Sequence, residues 1–288
     1  MSLGKTQALR WIACGLLSLG ALACVSAQSS PAPSAPQSVA AQRAILLETL
    51  SWDEAELVLT PDTVVVMALG AESKEHGRHL QLNNDFLMAE YLKKRVLAAA
   101  PRSVVVAPTI NYSFYPAFLE YPGSTSLSID TARAMVTDIV HSLAHYGPHR
   151  FYILNTGIST LRPLAQAAAD LAKDSIVLSY TDLTREDPVE TKLRQSGGTH
   201  ADEIETSMML YIAPESVRMN KAARDLSPNQ PGGLTRDPNG KGTYSPTGAW
   251  GDPTLATREK GQAVVESLVA TILKDIKDLG ETPVASKK

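Results

Sequence analysis

The segment TVVVMALG, residues 63–70, is a run of apolar and β-branched residues closed by a glycine. Its length and β-branching fit a strand buried on both faces, which belongs inside a parallel sheet. Downstream, Asp85 to Ala100 places Phe86, Ala89, Leu92 and Val96 at helical spacing, and Pro101 ends the helix. Residues 103–107 (SVVVA) predict a second strand, 130–146 a helix striped by Ala132, Met135, Ile139 and Leu143, and 151–154 a third strand. A helix over 161–173 and a strand over 175–180 follow, then helices over 203–212 and 255–279. Upstream, Ser51-Trp52-Asp53-Glu54 is a capping box for a short helix that stops before Pro61. Strands alternating with helices imply right-handed crossovers: a single three-layer α/β domain over residues 44–288 with a central, mainly parallel sheet. Gln230 to Trp250 is rich in Gly, Pro and Asn and reads as a long surface loop.

The composition bounds the function. Among 288 residues, 44% are hydrophobic and 20% charged, a globular balance that excludes a disordered chain. A net charge of -3 and 6% aromatic residues give no basic face and few stacking platforms, so no nucleic-acid partner is expected. Lys5 and Arg10 precede the apolar run Trp11 to Val25, and Val25-Ser26-Ala27 offers a small-residue cleavage site. Residues 1–27 therefore read as a signal peptide of a periplasmic or secreted protein. The run is short of the roughly 20 apolar residues of a bilayer span, so no transmembrane segment is expected after cleavage. Cys14 and Cys24, the two cysteines, both leave with this segment. Ala21-Leu22-Ala23-Cys24 resembles a lipid-attachment box only loosely, with Ala21 where Leu is usual. Residues 28–43, rich in Ser, Pro and Ala, read as a tether.

In a parallel sheet, ligands sit beyond the carboxyl ends of the strands. Those ends are residues 68–84, 108–128, 155–160 and 180–187. The first gathers Glu72, Glu75, His76, His79 and Asp85, donor types that suit Zn²⁺ or Mn²⁺. Asp85 also stands where it would cap the following helix. Thr199 to Ser207 places His200 beside Asp202, Glu203 and Glu205, a neighbourhood for acid–base work near neutral pH. The segment 112–128, with Tyr112, Tyr115, Tyr121 and Ser124, offers flat faces and hydroxyls to a small polar substrate.

Taken together these segments resemble the creatininase (creatinine amidohydrolase) family. The resemblance rests on His76-Gly77-Arg78-His79-Leu80-Gln81-Leu82-Asn83-Asn84-Asp85, on Pro122-Gly123-Ser124-Thr125-Ser126-Leu127, on His200-Ala201 with Glu205-Thr206-Ser207, and on Ala256-Thr257-Arg258-Glu259-Lys260-Gly261. The four motifs occur in the family's order across residues 47–279. The resemblance implies an α/β fold, hydrolysis of a C–N bond in a small, polar, cyclic amide, a two-metal centre and assembly into hexamers.

Departures from the family pattern fall on the metal ligands. A Glu is expected two residues before His76, where this chain has Lys74, and Glu75 is adjacent. A His and a Glu are expected after the third strand, where it has Gly157 and Ser159. A two-metal site is therefore not expected. The reading is one divalent ion, Zn or Mn, on His76 and Asp85 with Glu75, or with His79 or His200 in its place, or no metal, with Lys74 paired to Asp85 or Glu205. His200 and Glu205 are the expected proton carriers. Tyr112, Tyr115, Ser124 and Lys74 are the expected substrate contacts. The rival reading is a small-molecule binding protein that keeps the scaffold and has lost catalysis.

Overall fold

The computed structural model describes residues 43–283. The expected signal peptide, Cys24 and all but the last residue of the tether lie outside them. Among the described residues no helix is long and apolar enough to cross a membrane.

Five parallel strands form the sheet: β1 (Ile45–Leu46), β2 (Val64–Leu69), β3 (Val104–Ile110), β4 (Arg150–Asn155) and β5 (Val177–Tyr180), in the order β1-β3-β2-β4-β5. All six residues of the central β2 are buried, as its unbroken apolar sequence requires. Its side chains divide by parity. Val64, Val66 and Ala68 face a layer made of α2 (Asn84–Ala99), α6 (Glu203–Ile212) and α7 (Arg258–Glu281). Val65, Met67 and Leu69 face α3 (Ile129–Ala144) and α4 (Leu161–Ala172). Short helices α1 (Trp52–Val58) and α5 (Pro188–Leu193) complete the set. The result is the three-layer α/β architecture with a parallel sheet that the alternating sequence implies.

Register matters where the strands end. Met67 pairs with Ala107 but Leu69 pairs with Ile110, so β3 carries one extra residue beside Pro108. Pro108 has no N–H to give the ladder, and a bulge accommodates it. Gly70 then lets the chain leave β2 against α2: a Cβ there would sit 2.3 Å from the Asp85 carbonyl oxygen. On the far side, a Cβ on Gly261 would sit 1.8 Å from the Ser207 carbonyl oxygen, so α6 and α7 touch backbone to backbone.

Two expectations are corrected. Residues 230–250 keep an exposed stretch at 236–241 but do not lie wholly out on the surface. They form the strand pair β6 (Leu234–Thr235) and β7 (Thr243–Tyr244), and Thr235, Thr243, Ser245 and Ala249 are buried. The segment folds back over the strand ends, where Asp225 Oδ2 accepts hydrogen bonds from Ser245 Oγ at 2.8 Å and from Thr247 N–H at 3.1 Å. Asp85 does not cap α2. Asn83 takes the cap position and Asp85 lies in the first turn with its side chain buried.

Candidate functional site

Beyond the carboxyl ends of β2 and β4 lies a cleft of about 470 Å³, bounded by Lys74, Phe118, Gly157, Ser159, His200 and Trp250. The loop leaving β2 supplies Lys74, Glu75 and His76, all buried. The turn before α6 supplies His200, and the first turn of α6 supplies Glu205. That turn is sharp. Ala201 adopts φ +46, a left-handed conformation that costs an L-residue about 1 kcal/mol or more. Asp202 caps α6 through the N–H groups of Ile204 and Glu205, both at 2.9 Å. The strained residue between them lets His200 face the cleft while Asp202 serves the helix.

The charged groups are interlocked. His76 Nδ1 donates to the Lys74 carbonyl oxygen at 2.9 Å, and Nε2 lies 2.7 Å from Asp85 Oδ1 and 3.4 Å from Glu205 Oε1. The Lys74 ammonium lies 2.7 Å from Asp85 Oδ2. His200 Nε2 lies 3.2 Å from Glu75 Oε2, while Glu75 Oε1 accepts the Gly77 N–H. Glu205 is fixed by Asn84 Nδ2 on one oxygen, at 2.9 Å, and by the Ala201 N–H on the other, at 2.7 Å. The Phe118 ring packs on His200 with centroids 4.4 Å apart.

These contacts set the proton affinities. Burial opposes ionisation of Asp85, but His76 and Lys74 outweigh it and hold the carboxyl far below the usual range. Burial likewise opposes the charge on His76, and the carboxylates of Asp85 and Glu205 reverse the sign, raising its pKa against the repulsion of Lys74. Glu75 is also held below its ordinary value, since the charge of His200 and its hydrogen bond exceed the burial effect. His79 behaves differently: burial pushes it down to about 4, and it spends Nε2 on Thr206 Oγ1 at 2.8 Å.

Among the described residues, one group of metal-ligating side chains has its donor atoms all within 4.8 Å of one another: His76, His200 and Glu205. His76 and the alternative His200 are in this group, whereas Asp85 and Glu75 are not, and Glu205 is the added carboxylate. Asp85 is turned to Lys74 and His76, and Glu75 is turned to His200. The donor set fits one divalent ion. Three carboxylates (Glu75, Asp85 and Glu205) face one ammonium, leaving two negative charges for the imidazoles or a cation to balance. It does not fit two ions. Gly157 and Ser159 stand at the cleft wall without an imidazole or carboxylate, and the Lys74 ammonium lies against Asp85.

The other expected residues are placed as follows. Lys74 lines the cleft. Tyr115 lies beneath it, 1% exposed, with its ring 5.4 Å from the Lys74 ammonium, and does not line the cleft. Ser124 Oγ accepts the Glu75 N–H at 3.0 Å and supports the loop from outside. Tyr112 is 45% exposed and lies off the cleft. Glu72 is exposed and accepts Asn111 Nδ2 at 2.6 Å, so Glu75 is the carboxylate that enters the site. The sequence reading missed Asn84, Phe118, Gly248 and Trp250. Asn84 carried a signal, next to Asp85 in the first motif; the others are brought in by folding alone.

A family model described as creatinine amidohydrolase matches residues 48–276. The creatinine amidohydrolase of Pseudomonas putida is 28% identical over 267 residues, covering 82% of this chain and 97% of that protein. The mycofactocin precursor peptide peptidase of Mycolicibacterium smegmatis is 24% identical over 217 residues, covering 72% of this chain and 81% of that one. A crystal structure of creatinine amidohydrolase superimposes with a TM-score of 0.69 at 24% identity, covering 83% of this chain and 99% of that one. Further creatininase structures, one a Mn form and one a mutant of Zn–Zn type, superimpose with TM-scores of 0.68 and 0.66, at 24% and 23% identity. Each of the two covers 82% of this chain and 98% of its own.

Proposed function

The chain belongs to the creatininase family, and from that membership we propose that it hydrolyses a C–N bond of a small polar amide, cyclic by preference, with one divalent ion in place of two. The observation that carries the proposal is the convergence of His76, His200 and Glu205 at the cleft. These three would hold Zn²⁺ or Mn²⁺, and the ion, when bound, polarises a carbonyl and lowers the pKa of water. Asn84 and the Ala201 N–H fix the Glu205 carboxylate at the cleft wall. The proton released from the attacking water passes to the leaving nitrogen, and Glu205 stays in place as the fixed carboxylate of the site. Glu75 orients His200, and the Phe118 ring holds the imidazole from the other side. The apolar cleft residues Met88, Ile204 and Met208 exclude water from the body of the substrate.

The test is metal analysis of chelated and reloaded protein together with turnover of a panel of cyclic amides and short peptides. The expected result is near one equivalent of ion per chain and hydrolysis that Glu205→Gln reduces at least a hundredfold. No bound ion and no turnover, with panel compounds still binding, would replace this reading by the binding-protein one. Export of the chain and homo-oligomeric, hexameric assembly belong to the same proposal. Light scattering of the purified protein tests the assembly.

A further inference from the structure

The Lys74 ammonium is a buried cation with spare donors. The residue is 4% exposed, yet it lines the cleft. Its ammonium carries three N–H bonds. Asp85 Oδ2 forms an ion pair with it at 2.7 Å, and among the described residues no oxygen accepts an aligned hydrogen bond from it. The remaining surroundings are aromatic: the Phe118 centroid lies 4.8 Å away and that of Tyr115 5.4 Å away. Ring faces steady a cation but do not satisfy its donors as an oxygen does. Because the ammonium lines the cleft, its spare donors are open to water there, and a ligand oxygen that enters can take the place of that water. Asp85 is itself committed, with its other oxygen on His76, and the pair is therefore held rigidly at the cleft edge.

We propose that Lys74 is a catalytic residue: its ammonium, held by Asp85, takes the carbonyl oxygen of the scissile amide and does there what a second metal ion would otherwise do. The positive charge is part of the chain rather than recruited from solution. It strengthens as charge develops on the carbonyl oxygen during attack. In the reaction, water's oxygen bonds to the carbonyl carbon, the C–N bond breaks, and the proton released from water passes to the nitrogen. Lys74 keeps its protons throughout. The substrate class follows: a compound whose carbonyl oxygen is free to reach the Lys74 ammonium in the cleft that Gly157 and Ser159 also line.

The inference rests on the proposed hydrolysis for its kinetic arm but not for its metal arm. Mn²⁺ equivalents are measured in wild type, Lys74→Glu and the neutral pair Lys74→Met/Asp85→Asn, with circular dichroism to confirm folding. Lys74→Glu should bind close to one equivalent more than wild type, and the neutral pair no more. In the kinetic arm, Lys74→Met/Asp85→Asn should lose about a hundredfold in kcat relative to Asp85→Asn alone, with a smaller change in KM. A folded Lys74→Glu protein that binds no extra ion, or a neutral pair with the kcat of Asp85→Asn, overturns the inference. If wild type binds no ion while Lys74→Glu gains one, the role of Lys74 stands and the single-ion reading falls. If both bind one, the single-ion reading stands and the role of Lys74 falls.

Discussion

Glu75 and His200 come from loops 125 residues apart and meet at 3.2 Å, the carboxylate 7% and the imidazole 11% exposed. A carboxylate behind an imidazole fixes the ring and its tautomer. Glu75→Gln keeps the size and the bond from Gly77 but removes the charge. It should weaken Mn²⁺ or Zn²⁺ binding by about 10- to 100-fold, read by competition with a chelator. Unchanged affinity would remove Glu75 from the site's working parts.

Gly248 presses on the same carboxylate. Its φ is +86, and a Cβ would lie 2.2 Å from Glu75 Oε1. Gly248→Ala should destabilise the protein by more than about 1 kcal/mol and lower turnover by displacing Glu75. Gly197→Ala, where the nearest atom is 3.9 Å away, is the control and should stay within about 0.5 kcal/mol. Urea unfolding and amide turnover of both variants decide the point.

The acid side of the stability curve carries a signature of His79. Its folded pKa is about 4 against an ordinary 6.5, so the unfolded chain takes up the proton first as pH falls. The contribution of His79 is complete above pH 6.5 and is lost between there and about pH 4, a span worth about 3 kcal/mol. His76, with its pKa raised, has the opposite sign: its contribution is present below 6.5 and is lost as pH rises through the folded value. In chelated protein, His79→Gln should therefore flatten the loss of stability between pH 6.5 and 5. An unaltered slope would show that His79 is not held neutral.

The proposed export makes a simple prediction. The mature protein recovered from the periplasm or medium should begin at Gln28, by N-terminal sequencing or intact mass, and Cys24→Ser should be processed in the same way. A lipid-modified Cys24 would contradict both.

The strands and long helices could be read from residues alone because a buried parallel strand is a continuous apolar run, and β2 is the extreme case. β1 escaped because two residues, Ile45 and Leu46, carry no period. α5 escaped although Asp187 and Pro188 announce its start, since Asp187 accepts the Val189 N–H at 2.7 Å. At the site, His76, Asp85, His200 and Glu205 came from motifs. The choice between Glu72 and Glu75 did not, because an irregular loop has no periodicity to say which side chain turns inward. Nor did the partnering of His76 with His200 and Glu205 rather than with Glu75, which depends on where α6 docks. Gly248 looked like one more turn residue, and only folding brings it against a carboxylate.

The close approach of Gly261 to Ser207 bears on what holds the site in place. The wall that carries His200 and Glu205 is braced from behind by α7, through that contact and through Lys260, whose ammonium lies 2.5 Å from Glu203 Oε1. α7 is the last of the described elements along the chain. A chain cut before residue 258 lacks that brace, and the wall bearing His200 and Glu205 then has nothing of α7 to rest on.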